Sequence, residues 1–287
     1  MPIPDEIKVL PEKKWPACLK EIADPPKRLF IRGELPPEDF TWLCVVGSRK
    51  FTPYGKSACE EILDGLRGEK VVIVSGLALG MDSIAHRKAL EIGLKTIAVP
   101  GSGLSNKVLY PSSHRNLAEK IVEKGGCLIS EFEPDFQATQ YSFPQRNRVM
   151  AGLSSAVLVV EAEIKSGTLI TSRLASEYNR DVLAIPGSIF SRSSEGTNML
   201  IKLGAYVVRN SADLREYLGL KEETDFEDKF SDCTKEEKII IELLQTPLEK
   251  DELIRQSGLS PSQAQILLSA MEIKGMIKEE MGEIRLN

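Results

Sequence analysis

The sequence contains no run of about 18 or more apolar residues, so no membrane-spanning helix is expected. The opening stretch, MPIPDEIKVLPEKKW, has no basic segment leading into an apolar one, so no secretory signal is expected. Cysteine is sparse: Cys18, Cys44, Cys59, Cys127 and Cys233 are scattered and form no CxxC pair. Histidine is sparser, with only His86 and His114. No metal-ligand spacing arises from such a set, and the reading is of reduced thiols in a cytoplasmic protein. Enzyme signatures are missing too. Gly55-Lys56-Ser57 imitates the end of a P-loop, but the first glycine would have to stand at Lys50. No GxGxxG follows the first apolar run, and no GxSxG occurs. The two histidines offer no nucleophile–base pair. Hence no catalytic residue, metal or nucleotide cofactor is implied.

What remains is an ordinary globular composition: 287 residues, 42% hydrophobic and 28% charged. That length allows a sizeable core and suggests a large domain with a smaller one. The formal net charge is −5, which on average disfavours a polyanion. The distribution is uneven, however. Residues 40–210 carry 20 basic and 16 acidic side chains, whereas residues 211–233 carry 3 and 8 and residues 234–287 carry 7 and 10. Only the middle is positive, so a polyanion would be held there.

In that middle, short apolar runs alternate with amphipathic stretches. LCVVG (43–47), VVIVSG (71–76), KTIAVPG (95–101), CLIS (127–130), AVLVV (156–160) and DVLAIPG (181–187) read as strands buried on both faces. Segments such as YGKSACEEILDGL and GMDSIAHRKALEIG read as the connecting helices. The alternation predicts an α/β fold, an extended Rossmann-like, doubly wound and mostly parallel sheet over residues 40–218. Residues 1–39 read as a lead-in segment and 219–233 as an acidic linker. Residues 234–287 show a capping box from Thr234 to Glu237, a second from Ser260 to Gln263, and an alternating tail, the outline of a winged helix. The second box opens the helix that would enter a DNA groove. Over residues 260–275 its only cation is Lys274, at the far end, so this module is not expected to read duplex DNA.

Ligands of such sheets bind beyond the carboxyl ends of the strands. There the sequence collects glycine, hydroxyls and cations. Gly47-Ser48-Arg49 follows the first strand, where loop N–H groups and a guanidinium can hold an anion. The plainer alternative is an arginine paired with a helix end or a carboxylate. Lys165-Ser166-Gly167-Thr168 repeats the pattern before a helix. Phe143-Pro144-Gln145-Arg146-Asn147-Arg148 adds a ring that could stack on a base and cations that could follow a backbone. Its plainer alternative is a helix start with Phe143 stapled to the core.

Taken in order, VGSRKFTPYGK, VSGLALGMDSIAHRKAL, TIAVPGSGLSNKVLYPSSHRNLAEKI, SEFEP, FPQRNRVMAGLS, VVEAEIKSGTLITSRLA and VLAIPGSIFSRSSEGTNMLIKLGA resemble the DNA-processing protein A (DprA/Smf) family, and WPACLKEIADPPKRLFIRGELP resembles its lead-in, together over roughly residues 10–210. The tail resembles the winged helix that some members carry. The resemblance implies sequence-independent binding of single-stranded DNA without catalysis. It also implies homodimerisation and loading of the recombinase RecA, with protection of incoming or damaged strands in natural transformation and DNA recombination. Carried over by position, the DNA contacts would be Gly47, Ser48, Arg49, Ser75, Gly76, Phe143, Arg146, Asn147, Arg148, Lys165, Ser166, Gly167 and Thr168. The dimer surface would lie at Met199, Leu200, Ile201 and Leu203, on an apolar helix face beside a terminal strand. An alternative reading is a nucleotide-processing enzyme of the phosphoribohydrolase type. Such enzymes use a PGGxGTxxE loop, and in EAEIKSGTLITS the paired glycines are absent and Thr171 stands at the acid's position. A third reading is a sequence-specific regulator acting through the winged helix.

Overall fold

The computed structural model describes residues 6–220, 233–244, 246–280 and 282–286. The chain divides into two compact units, Met1–Lys221 and Glu222–Asn287. Most of the segment read as an acidic linker lies outside the described residues.

The larger unit is a nine-stranded sheet covered by helices. Its strands are β1 (Lys8–Val9), β2 (Phe30–Gly33), β3 (Thr41–Val46), β4 (Val71–Ser75), β5 (Lys95–Ala98), β6 (Cys127–Ser130), β7 (Ala156–Val159), β8 (Asp181–Ala184) and β9 (Tyr206–Val207). They lie in the order β1-β2-β6-β5-β4-β3-β7-β8-β9. The pairings β1 with β2 and β2 with β6 are antiparallel, and the other pairings are parallel. The expected α/β, mostly parallel doubly wound sheet is therefore observed.

Each central strand feeds two cores because successive side chains leave opposite faces. Trp42, Cys44 and Val46 of β3 join Val72 and Val74 of β4 and Val157 and Val159 of β7 on one face. Leu43, Val45, Val71, Ile73 and Leu158 join on the other. Such strands are apolar throughout, and that made them legible. The first face is covered by α5 (Ser142–Leu153) and α6 (Thr168–Glu177), the second by α2 (Pro53–Asp64), α3 (Met81–Glu91) and α8 (Ser211–Tyr217). A third cluster gathers Leu117, Ile121 and Val122 of α4 (Arg115–Glu123) against Phe30, Ala98 and Leu128. Residues 1–39 are more than an approach to this unit. They supply β1, β2 and the short helix α1 (Ala17–Lys20), and they bury Trp15, Leu19 and Ile22 in the first core. Trp15 Nε1 donates to Leu10 O at 2.9 Å, which satisfies the indole inside that core.

From β3 the chain winds outward through β4, β5 and β6, then returns to place β7 on the other side of β3 and continues through β8 and β9. The order reverses between β3 and β7, the switch point where a ligand crevice opens. Helix α7 (Arg192–Lys202) follows β8 and completes the unit's described helices.

The smaller unit contains α9 (Lys235–Leu243), α10 (Lys250–Ser257), α11 (Pro261–Ile273) and the strands β10 (Leu248–Glu249), β11 (Ile277–Glu280) and β12 (Glu283–Leu286). Both expected capping boxes are formed: Thr234 with Glu237, and Ser260 with Gln263 behind Pro261. β11 and β12 pair as a hairpin with Ile277 opposite Leu286. Ile240, Leu253, Leu268, Met271 and Ile284 form its own core, that of a winged helix.

Candidate nucleic-acid interface

Four loops or helix starts meet at the switch point. The loop after β3 lies against the loop after β4 because two glycines allow it. A Cβ at Gly47 would fall 2.8 Å from Met81 Cβ, and one at Gly80 would fall 2.5 Å from Ser48 O. Gly80 also has φ of 85°, which a side chain would oppose. Met81 N then donates to Ser48 O at 3.1 Å, fixing the first loop to the start of α3. The loop after β7 is tied to the same place: Thr168 Oγ1 donates to Gly47 O at 3.1 Å, and Ser166 Oγ meets Thr168 Oγ1 at 3.0 Å.

These ties enclose a cavity of about 610 Å³. Gly47, Ser48, Arg49, Phe143, Arg146, Asn147, Ser166, Gly167 and Thr168 line it, so nine of the thirteen expected contacts come together there. Lys50 and Gln140 line it as well, and so do two acids, Asp82 and Glu163. Phe143 is the shelf of the site. Its ring lies 5.1 Å from the Arg49 guanidinium carbon and 5.6 Å from the Tyr110 ring, tilted by 56°. It rests on Gly101, where a Cβ would come within 2.6 Å of the ring. Half-exposed Tyr110 extends the shelf outward.

The remaining four expected residues are placed otherwise. Ser75 is fully buried, and its hydroxyl donates to Val45 O at 2.6 Å. Gly76 lies beneath Arg146, where a Cβ would collide with Nη1 at 1.5 Å, so it serves the site by leaving room. Arg148 turns to the far side of α5, donating to Glu131 and to the Asp24 carbonyl. Lys165 is exposed and borders a different groove, between α6 and α7.

Arg146 is itself nearly buried, with Nη1 donating to Val99 O at 2.8 Å, and its charge faces buried Asp82. Burial pushes the Asp82 carboxyl up, while Arg146 opposes that rise. Burial likewise pulls Arg146 down, and Asp82 opposes the fall. The pair is a wall of the site more than a free hand for a ligand. The exposed cations of the crevice lining are Arg49 and Lys50. Tyr110, Lys50 and Gln140 were absent from the sequence-based set. Lys50 and Gln140 stand next to chosen motifs, and Tyr110 sits in the VLYPSSH segment already singled out.

The arrangement defines a Rossmann-like domain whose switch-point crevice offers two exposed cations, Arg49 and Lys50, beside an aromatic shelf. The family model described as DNA recombination-mediator protein A matches residues 6–219, and the chain belongs to that family. A second model, the DprA winged helix domain, matches residues 231–283. The chain is 44% identical over 200 residues to the DNA processing protein DprA of Streptococcus pneumoniae, covering 70% of each chain. It is 43% identical over 204 residues to Protein Smf of Escherichia coli (strain K12), covering 71% of this chain but 54% of that one. The chain thus spans about half the length of the latter relative. Among solved structures, DNA processing protein A from Streptococcus pneumoniae superposes with a TM-score of 0.69 at 40% identity, covering 75% of each chain. The Helicobacter pylori DNA processing protein A superposes with a TM-score of 0.66 at 31% identity, covering 74% of this chain and 95% of that one. That second structure was described for its single-stranded DNA binding mode.

Proposed function

We propose that this chain binds single-stranded DNA, without sequence choice and without catalysis, in the crevice at the β3/β7 switch point. The observation that carries the reading is Phe143, presented between Arg49 and Tyr110 with exposed Lys50 in the same crevice, so that a ring for a base stands beside cations for a phosphate. A ring accepts any base face and a cation accepts any phosphate, so neither selects a sequence. A duplex would keep its base faces stacked and out of reach. The family membership and the single-stranded DNA binding mode described for the Helicobacter pylori relative support the same ligand. Within this reading the chain is a cytoplasmic homodimer that protects incoming or damaged single strands. It hands them to the recombinase RecA in natural transformation and recombination.

The primary experiment is a titration of the full chain with single- and double-stranded DNA of equal length at two salt concentrations. Tighter binding of the single strand, weakening with salt, is expected. Equal affinity for duplex would overturn the proposal. RecA loading is tested by adding the chain to RecA and a single strand coated with single-strand-binding protein. ATP hydrolysis by RecA should start sooner. For catalysis the reading to exclude is release of a free base from nucleoside monophosphates. Thr171, at the position where a phosphoribohydrolase would carry its acid, is buried in α6 and supplies no carboxylate.

A further inference from the structure

A second cavity opens on the same carboxyl edge of the sheet. It is about 660 Å³ and lies between the first turn of α2 and the β8–α7 loop, walled by Thr52, Pro53, Tyr54, Pro186, Ser188 and Ser191. Its walls are held firmly. Tyr54 Oη donates to Pro186 O at 2.6 Å. Glu161, only 1% exposed, accepts from Thr52 Oγ1 at 2.6 Å, Thr52 N at 3.0 Å and Ser193 Oγ at 3.1 Å. One buried carboxylate therefore joins the starts of α2 and α7. Gly55 makes this possible, since a Cβ there would fall 2.2 Å from the carboxylate.

The lip of this cavity is unusual. Ile189 and Phe190 stand at the tip of the β8–α7 loop with 82% and 93% of their surface exposed. Tyr54, in the cavity wall, and Phe51, which precedes the wall residue Thr52, are also exposed. Single exposed apolar residues are common, but four on or next to the wall residues of one cavity mark a contact surface. The opening neighbours the first crevice along the sheet's carboxyl edge. Lys50 lines one cavity and Thr52 the other, and Glu163 lines one and Glu161 the other, so a two-residue step separates them. Exposed Arg192 adds a cation beside Phe190.

We infer that this second cavity, with Phe190 as its outer ring, receives further bases of the same single strand that enters the first. The inference rests on the reading that the strand occupies the switch-point crevice. Rings spaced along a cation-bearing edge suit a polynucleotide, whose bases need stacking faces and whose phosphates need positive charge. The strand leaves the Phe143 shelf, passes Lys50 and Phe51, and places bases against Tyr54 and Phe190.

The test compares oligothymidylates of about 6 and about 18 nucleotides, chosen to fill one subsite or both. Wild type, Phe190→Ala and Arg49→Ala are titrated with each. Phe190 is nearly fully exposed, so its replacement should leave the melting temperature unchanged. Phe190→Ala should weaken the long strand at least about fivefold, the value of one lost stack, and leave the short strand within twofold. Arg49→Ala should weaken both. In addition, an iodouracil-substituted long strand should photocrosslink to Phe190 or Tyr54, and the short one should not. An unchanged affinity of Phe190→Ala for the long strand overturns the inference, as does an equal loss with both lengths. If wild type binds neither length, or Arg49→Ala changes neither, the switch-point reading itself has failed, and that outcome is distinct.

Discussion

Arg49 and Phe143 touch one another, yet they should fail differently when removed. Arg49 acts by charge, so Arg49→Ala should weaken single-strand binding and flatten its salt dependence by up to about 0.7 in log–log slope. Phe143→Ala should lower affinity and leave the slope nearly fixed, since stacking releases no counterion. Lys165 lies outside the crevice, so Lys165→Ala should have the smaller effect of the two cation replacements. If all three variants fold normally and bind with unchanged affinity and slope, the switch-point site is wrong. A second residue-scale expectation concerns pH. His86 is fully buried, with Nδ1 2.7 Å from Thr96 Oγ1, which in turn gives its single proton to Ile73 O. Nδ1 is therefore the donor to Thr96. Burial pushes its pKa down to about 3. The unfolded chain takes up this proton near the free histidine value of about 6.5 and the folded chain refuses it, so stability falls as pH drops from about 6.5 toward about 3. By about pH 5 the loss attributable to His86 is about 2 kcal/mol. Thermal melts of wild type and His86→Gln at stepped pH should show a shallower decline in the variant, and parallel declines would refute this. Residue roles were only partly legible in the sequence. Arg148 and Ser75 sit inside apt motifs, but their partners, Glu131, Asp24 and Val45, come from distant segments that no local spacing reveals.

At the scale of elements, legibility followed burial. The six runs read as strands became β3 to β8, because a strand covered on both faces must be apolar at every position. β1 and β2 escaped notice. They pair antiparallel at the sheet's edge, and β2 carries Arg32 within FIRG, so no apolar run announces them. The helices of the smaller unit were legible through their caps, which are local chemistry and need no tertiary context. Those helices also carry a prediction. Lys274, the cation at the end of α11, donates to Glu237 Oε1 at 2.7 Å and is thereby engaged within its own module. The exposed side chains along α11 include Ile266 and Ile273, 72% and 89% exposed, which suit a protein surface better than a phosphate backbone. Removing residues 220–287 should leave single-strand affinity within a few-fold and should not alter duplex affinity. A collapse of single-strand binding would place part of the site in the winged helix.

At the scale of the whole molecule the proposed homodimer needs a surface. β9 ends the sheet with two residues, and its outer edge is unpaired by any described strand. An edge of this kind invites pairing or covering. Beside it, Leu203 is 75% exposed and Tyr206 37% exposed, and a groove of about 1190 Å³ runs between α6 and α7 with Met199 and Leu200 in its wall. The four residues expected at a dimer surface differ in what they can report. Leu200 also packs against the first core, so a charge there would damage the fold and the interface together. Leu203 has little to lose inside the protomer. Leu203→Asp should therefore keep the melting temperature of the monomeric unit and yield monomers in sedimentation at concentrations where wild type is dimeric. The stacking shelf and Arg49 lie on the other side of β7, so the variant should still bind a short strand. Its affinity for a strand long enough to span two protomers should fall, because the second contact is no longer intramolecular. A wild type that stays monomeric at micromolar concentration would remove this surface from consideration. A Leu203→Asp protein that stays dimeric would move the interface elsewhere on the molecule.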